Sequence, residues 1–178
     1  MDGDGGERTR LTRGEPDAAP AWSPDGREIV FVRGHNLNKS SGDMDLFVVD
    51  AAGGTPRRLT RTPGSLETAP VWSPDGSRIA FARSWPGSAF TGRAAIFVIN
   101  RDGSGESLVL EHKLYSETEY GLSWSPDGRT IAFETGAHCT VIATVQIASE
   151  RIRRLTSCTG PFRAAVGPSW QPQAVHEH

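Results

Sequence analysis

Apolar and polar residues alternate over short stretches of this chain, and similar stretches recur at regular intervals. Each stretch contains an isoleucine followed two residues later by a phenylalanine, at positions 29 and 31, 79 and 81, and 131 and 133. A spacing of two is the period of a β-strand, because successive side chains point to opposite faces. Further apolar runs follow at 46–49, 96–99 and 141–143. The pattern therefore predicts an all-β chain of short strands.

A pentapeptide, Trp-Ser-Pro-Asp-Gly, precedes each Ile-x-Phe stretch at a fixed distance. It begins at Trp22, Trp72 and Trp124, and a partial copy begins at Trp170. Proline presets φ in such a turn, aspartate bonds nearby backbone, and glycine takes the positive φ that other residues resist. The pattern therefore indicates hairpin turns and not a set of catalytic carboxylates. The turn residues are Pro24, Asp25, Gly26, Pro74, Asp75, Gly76, Pro126, Asp127 and Gly128.

The tryptophans recur every 46 to 52 residues, which is the period of a repeat architecture. Each full repeat offers a Trp strand, the Ile-x-Phe strand, a third apolar strand and a short fourth, such as 57–60 or 153–156. Four antiparallel strands in about 50 residues form the blade of a β-propeller. We expect each Trp on the innermost strand, where its ring fills the gap between neighbouring blades.

The repeats also predict the domain organisation. Residues 2–12 match residues 50–60 at six of eleven positions without a gap, so we expect these first residues to form the end of a blade. We predict a fourth strand and loop at 1–19, blades at 20–60, 61–110 and 111–156, a first strand at 157–172 and a tail at 173–178. Three full blades with a lone strand at each end make a partial propeller. Such an arc leaves two terminal faces uncovered, so either the chain is the C-terminal part of a longer propeller or copies associate to close a ring.

The Trp-Ser-Pro-Asp-Gly repeats, the Ile-x-Phe strand and the Leu-Thr ending of the fourth strand resemble the TolB-type, WD40-like propeller repeat. The resemblance covers nearly the whole chain. It implies an interaction platform, and it also allows an accessory domain beside a hydrolase of the prolyl-oligopeptidase type. A periplasmic or secreted location is favoured by the same resemblance.

Composition excludes several classes of function. The chain has 19 basic and 21 acidic residues, a net charge of −2 and a pI near 6.2, which is unlike a general nucleic-acid binder. No stretch approaches the roughly 20 apolar residues that cross a bilayer, so we expect no membrane insertion. No Gly-x-Ser-x-Gly motif is present, so we expect a non-catalytic chain.

Strand alternation assigns the loops after the second and fourth strands to one face of the blades, here named the long-loop face. It receives the segments 33–44 and 83–94, which contain the candidate binding residues His35, Trp85 and Phe90. Long loops on a rigid scaffold commonly carry binding sites. We therefore predict that a protein or peptide binds this face. For Trp85 and Phe90, the alternative is a loop folded over its own blade. For the whole chain, the alternative is a C-terminal or accessory segment of a larger propeller-containing hydrolase or lyase.

Three carboxylates, Asp17, Glu67 and Glu119, each stand five residues before a repeat tryptophan on this face. Equivalent positions would point them toward one channel mouth, where they suit Ca²⁺ or a basic peptide. The alternative is a strand-entry residue that accepts backbone N–H bonds. Both interpretations stand on the sequence alone.

Cys139 and Cys158 are the only cysteines, and they flank a predicted hairpin that turns near 148–149. Folding there places them opposite each other, so we predict a disulfide, with two reduced thiols as the alternative. A disulfide would imply an oxidising compartment. His35, His112 and His138 are predicted on loops of the same face, but no spacing matches a zinc site, and we predict no metal ligands.

Overall fold

The computed structural model describes residues 9–13, 16–35, 43–85, 93–113, 121–135, 141–157 and 168–170. These residues contain strands and no helix. The strands are β1 (Asp17–Trp22), β2 (Glu28–His35), β3 (Asp43–Asp50), β4 (Arg57–Arg58), β5 (Leu66–Trp72), β6 (Arg78–Trp85), β7 (Arg93–Asn100), β8 (Ser107–Lys113), β9 (Leu122–Trp124), β10 (Thr130–Thr135), β11 (Val141–Gln146) and β12 (Arg151–Arg154).

Each consecutive group of four strands forms an antiparallel blade in which every strand pairs with the next. Blade 1 is β1–β4, blade 2 is β5–β8 and blade 3 is β9–β12. One parallel bridge, from Met44 to Leu66, links blade 1 to blade 2. The first strands of successive blades contact each other. The prediction of three four-stranded blades is confirmed.

Several strands extend further than the sequence predicts. β1 begins at Asp17, three residues before the predicted start of blade 1, and β8 continues to Lys113, past the predicted boundary at 110. The expectation that His112 lies on a loop is wrong, because its backbone pairs with Ala94 of β7. The strand pairing that carries these residues depends on partners distant in the sequence, which a local pattern does not reveal.

The first strands of blades 1 and 2 each contain a bulge just before the repeat tryptophan. The register shifts between Ala18 and Ala21 in β1, and between Thr68 and Val71 in β5. Ala19 and Ala69, inside these bulges, have φ values of 49° and 50°, in the left-handed region that disfavours a side chain. The following proline in each bulge needs no ladder hydrogen bond, which suits such an interruption.

Most of the core lies between blades and not within them. One cluster joins Val30, Val32, Leu46 and Val48 of blade 1 to Trp72, Ile79, Phe81 and Ile99 of blade 2. A second cluster joins Ala80, Ala82, Ile96, Val98 and Val109 of blade 2 to Leu122, Trp124, Ile131, Phe133, Ala143 and Val145 of blade 3. One blade cannot bury its own apolar faces, so stacking neighbours supplies the core.

Residues 9–13 and 168–170, which lie in the lone strands predicted at the two ends, are not in strands. Both segments still pack on the blades. Leu11 packs against the buried residues Ile29, Phe31, Phe47 and Val49 on the outer face of blade 1. At the other end, Trp170 donates its indole N–H to the Ser123 carbonyl of β9 at 3.2 Å. Residues 9–13 and 168–170 therefore contact the outer sides of blades 1 and 3.

Candidate functional site

The Ser-Pro-Asp-Gly segments form closed turns on one face of the blades, here named the turn face. In the second copy, Ser73 donates to the Asp75 carboxylate at 2.5 Å, and the Gly76 N–H donates to the Ser73 carbonyl at 2.9 Å. The same contacts occur in the copies that begin at Ser23 and Ser125. The three glycines have φ values of 66° to 69°, as this turn requires.

Hydrogen bonds within these turns keep the aspartates ionised. The hydroxyl of Ser23 and the backbone N–H of Arg27 lower the pKa of Asp25 to about 2. Ser73 and Ser77 lower the pKa of Asp75 to about 2 in the same way. A carboxylate that accepts several hydrogen bonds holds its proton weakly, so these groups are unsuited to general acid chemistry at neutral pH.

The turns of neighbouring blades are also linked to each other. Arg101, in the β7–β8 turn of blade 2, donates to Glu28 at 2.7 Å and to Asp25 at 3.1 Å in blade 1. Arg78 of blade 2 donates to the Gly128 carbonyl of blade 3 at 2.9 Å. An open cavity of about 460 Å³ lies nearby, lined by Arg57, Ser77, Asn100, Arg101 and Asp102. The guanidinium groups that line it already donate to carboxylates or carbonyls of the protein.

Asp17 lies on the long-loop face, as predicted, and it is paired with an arginine of the next strand. Arg33 donates to both carboxylate oxygens, at 2.6 and 2.9 Å. Burial opposes ionisation, but the hydrogen bonds from Arg33 and Thr12 lower the pKa of Asp17 below its ordinary value. The Asp17 side chain keeps about 20% of its surface exposed. The Arg33 side chain is only 12% exposed, so the pair is mostly buried and a partner can reach part of the Asp17 carboxylate.

Glu67, the equivalent residue of blade 2, is buried and not at an open channel mouth, and it accepts a backbone N–H bond as the alternative interpretation predicts. Its side chain is fully buried. One carboxylate oxygen accepts hydrogen bonds from the Leu46 N–H at 3.0 Å and from the Thr60 hydroxyl. The other oxygen accepts two from Arg83, at 2.7 and 3.0 Å. The expectation that Glu67 faces a ligand at a channel mouth is not met, because the preceding blade covers it and both oxygens are occupied.

Arg83 connects Glu67 to a second carboxylate and to two aromatic rings. Its guanidinium donates to Glu106 at 2.6 and 2.8 Å and lies 4.5 Å from the Phe97 ring centroid and 5.2 Å from that of Phe81. Burial raises the pKa of Glu67 despite these partners, whereas the bonds to Glu106 and Glu67 outweigh burial and raise the pKa of Arg83. We infer an ionised arginine held between two carboxyl groups inside the blade 1–blade 2 joint.

The Leu-Thr ending of the fourth strand has a role that the sequence analysis missed. Thr60 accepts a hydrogen bond from the Leu46 N–H at 2.9 Å, and Thr156 accepts one from the Ile142 N–H at 2.8 Å. Each threonine thus satisfies the backbone of the third strand in its own blade. The repeated Arg-Arg-Leu-Thr motif was the available signal, since a hydroxyl at a fixed repeat position suggests a fixed hydrogen bond.

Of the remaining candidate residues, the structure describes Trp85 and His35. Trp85 ends β6, half-buried, with its ring 6.3 Å from the Phe97 centroid at an angle of 67°. Trp85 was expected on a loop, but it packs on its own blade. His35 ends β2. Outside the described residues lie Glu119, Phe90, His138, Cys139 and Cys158.

Within the described ranges, no group of three or more His, Cys, Asp or Glu side chains is arranged to hold a metal ion. Over the same part of the chain, no helix has the length and apolar character needed to span a membrane.

The fold and the repeat define a propeller class, and comparison of the sequence with known families places the chain within it. The family described as TolB beta propeller domain matches residues 2–176. The chain therefore belongs to the TolB β-propeller domain family. No curated protein sequence matches it.

Solved structures agree on the fold at low sequence identity. TolB from Acinetobacter baumannii aligns with a TM-score of 0.59 and 20% identity, over 90% of this chain and 36% of that one. Puromycin hydrolase aligns with a TM-score of 0.60 and 17% identity, over 85% and 23%. A chain of the nidogen/laminin complex aligns with a TM-score of 0.57 and 15% identity, over 80% and 48%. This chain thus spans between about a quarter and a half of each of these proteins.

Proposed function

We propose that this chain is a non-catalytic β-propeller module that binds a protein or peptide on its long-loop face. The observation that carries the proposal is the difference between the two faces. On the turn face, the turns are closed by their own hydrogen bonds and linked by Arg101 and Arg78. At the long-loop face β2 and β6 end, β3 and β7 begin, and part of the Asp17 carboxylate is exposed. Rigid strands that present connecting segments are a common design for recognition.

The proposed contact residues are those that the strand ends bring to this face. Asp17 offers a partly exposed carboxylate to a basic group of a partner, in competition with Arg33. Trp85 offers an aromatic ring that its own blade holds in place. His35, Phe90 and Glu119 belong to the same proposed surface by sequence position. Glu67 is left out, because its carboxylate is buried in the joint between blades.

A Ca²⁺ ion at this face is a weaker proposal. Calcium takes six to eight oxygen ligands, mostly carboxylates and carbonyls. Asp17 already gives both oxygens to Arg33, and Glu67 is fully buried. A protein or peptide partner therefore fits the described residues better than a bound ion.

A periplasmic or secreted location accompanies this proposal. It is supported by similarity to TolB from Acinetobacter baumannii and by the proposed disulfide between Cys139 and Cys158. Thiol titration of the unreduced, denatured protein tests the disulfide. No reactive thiol is expected, and two reactive thiols would count against both the disulfide and this support for the location.

A capture experiment tests the binding face. The immobilised chain, its Trp85→Ala variant and its Arg129→Ala variant would be exposed to an extract of the source cells. Arg129 is exposed on the turn face, so it serves as the matched control. We expect the wild type and Arg129→Ala to retain a shared protein that Trp85→Ala loses, with circular dichroism showing that all three are folded. Equal retention by all three would refute the long-loop face as the binding surface.

The second candidate is a propeller segment of a larger hydrolase or lyase. It is favoured by the structural similarity to puromycin hydrolase, although at 17% identity that similarity shows the fold alone. In this case the reactive residues would be encoded outside these 178 residues. The coding sequence around this segment separates the two candidates. An in-frame domain with a Gly-x-Ser-x-Gly motif would favour the hydrolase.

A further inference from the structure

Successive repeats are joined by hydrogen bonds from an indole N–H to a backbone carbonyl. Each acceptor is the residue directly before the tryptophan of the preceding repeat. The three bonds run from Trp72 to Ala21 at 3.2 Å, from Trp124 to Val71 at 3.1 Å and from Trp170 to Ser123 at 3.2 Å. The series therefore has a direction, with the donor always on the later repeat.

One donor and one acceptor of this series lack a partner in the described part of the chain. Trp22 is the first donor, and its side chain is 60% exposed, whereas Trp72 and Trp124 are almost fully buried. Its indole N–H makes no hydrogen bond with the described residues. Ser169, directly before Trp170, is the last acceptor position, and it is exposed. Its carbonyl accepts no hydrogen bond from the described residues either.

The two terminal segments correspond to different strands of a blade. Residues 9–13 correspond to an outer fourth strand, and residues 168–170 to an inner first strand. Leu11 and Thr12 contact blade 1 as an outer, fourth-strand segment would: Leu11 packs on its apolar cluster and Thr12 hydrogen-bonds Asp17, as Thr60 does Glu67. Residues 168–170 contact blade 3 as an inner, first-strand segment would, through the Trp170 indole. An outer segment from one copy and an inner segment from another therefore do not compete for the same space.

We propose that Trp22 of one copy docks on residues 168–170 of a second copy, with its indole N–H donating to the Ser169 carbonyl. The contact continues the interface that already joins the repeats within the chain. It is a head-to-tail contact between unlike surfaces, so it builds rings where the rotation closes and open chains where it does not. The ring of the exposed Trp22 is buried in the process, which supplies the apolar contribution to association.

Measurement of the mass in solution at rising concentration tests the association. We expect the wild-type chain to pass from 19.2 kDa to multiples of that mass. Trp22→Ala removes the donor and the ring at an exposed site, so it should leave the fold intact and weaken association by at least about tenfold. Leu108→Ala is the control, because Leu108 is similarly exposed but lies on the outermost strand of blade 2. It should associate like the wild type.

Crosslinking identifies the contact itself. A photoreactive phenylalanine would replace Trp22, and isotopically labelled and unlabelled copies would be mixed so that links between copies are distinguished by mass. We expect links from position 22 of one copy to residues around 168–170 of another. A chain that stays monomeric up to the millimolar range would overturn the proposal. So would association that Trp22→Ala does not weaken, or links that map elsewhere.

Discussion

In every repeat, an aspartate of a type that often serves in catalysis closes a turn instead. These aspartates are Asp25, Asp75 and Asp127. Each accepts hydrogen bonds from a serine two residues earlier and from the backbone two residues later. These partners lie within the same six-residue turn, so the role was predictable from sequence. Glu67 was not predictable in the same way, because Leu46 and Thr60, which cover it, belong to the preceding blade.

Because the pKa values of the turn aspartates are low, the free energy of unfolding depends on pH in the acidic range. A carboxyl whose pKa falls from 3.8 unfolded to about 2 folded, as for Asp25 and Asp75, stabilises the fold fully above pH 4 or so. This contribution is lost as the pH falls through about 2. We expect the free energy of unfolding, measured with urea, to decline between pH 4 and pH 2. Asp75→Asn should make that decline shallower, and an unchanged slope would show that the turn bonds do not control it.

At the scale of the element, strand order and turn positions followed from the sequence, but strand lengths did not. The Ile-x-Phe alternation and the Ser-Pro-Asp-Gly turns are local signals, and they placed β2, β6 and β10 correctly. β8 reaches Lys113 because it pairs with β7 from Val98 back to Arg93, the first residue of β7, and Trp85 belongs to β6 because its backbone pairs with Arg93. Such pairings are made with the next strand along the chain, 8 to 20 residues away, so the pattern within one strand underestimates its length.

The bulge in β5 holds an alanine in the left-handed region of φ. Ala69 has a φ of 50°, a conformation that costs an L-residue about 1 kcal/mol or more and that a β-branched residue resists further. Ala69→Gly should therefore leave the free energy of unfolding unchanged or raise it. Ala69→Val should lower it by about 2 kcal/mol.

The matched control for Ala69 is Ala82→Gly, in the regular part of the neighbouring strand β6. Glycine there loses more conformational freedom on folding and also removes a buried methyl from the blade 2–blade 3 cluster, so it should cost about 1 to 2 kcal/mol. Urea unfolding of the three variants checks the order. A cost for Ala69→Gly equal to that of Ala82→Gly would show that the left-handed backbone is not a source of strain.

At the scale of the whole molecule, the joints between blades carry the core and the buried charges. The sequence predicted that the tryptophans fill these joints, since a blade needs a neighbour to bury its faces. It did not predict that the Glu67–Arg83 pair lies in one of them. The carboxylate positions repeat along the chain, but position 135, equivalent to Arg83, is a threonine in blade 3. The repeat therefore conserves the joint while its polar contacts differ between blades.

Removing the buried arginine should weaken the joint between blades 1 and 2. Arg83→Met leaves Glu67 buried without its cation, which we expect to lower the free energy of unfolding by about 3 to 5 kcal/mol. The control is Arg33→Met, whose partner Asp17 is partly exposed and can be hydrated, so we expect a smaller cost, about 1 to 2 kcal/mol. Urea unfolding measures both free energies. Equal costs would contradict a stabilising role for the buried Glu67–Arg83 ion pair in the joint between blades 1 and 2.

The repeats stack through a directional series of indole-to-carbonyl hydrogen bonds. Hydrogen exchange of the indole N–H groups, followed by NMR with each signal assigned by a Trp→Phe substitution, tests this series. We expect slow exchange for Trp72, Trp124 and Trp170, and fast exchange for Trp22 in dilute solution. Exchange of Trp72 or Trp124 as rapid as that of Trp22 would contradict it.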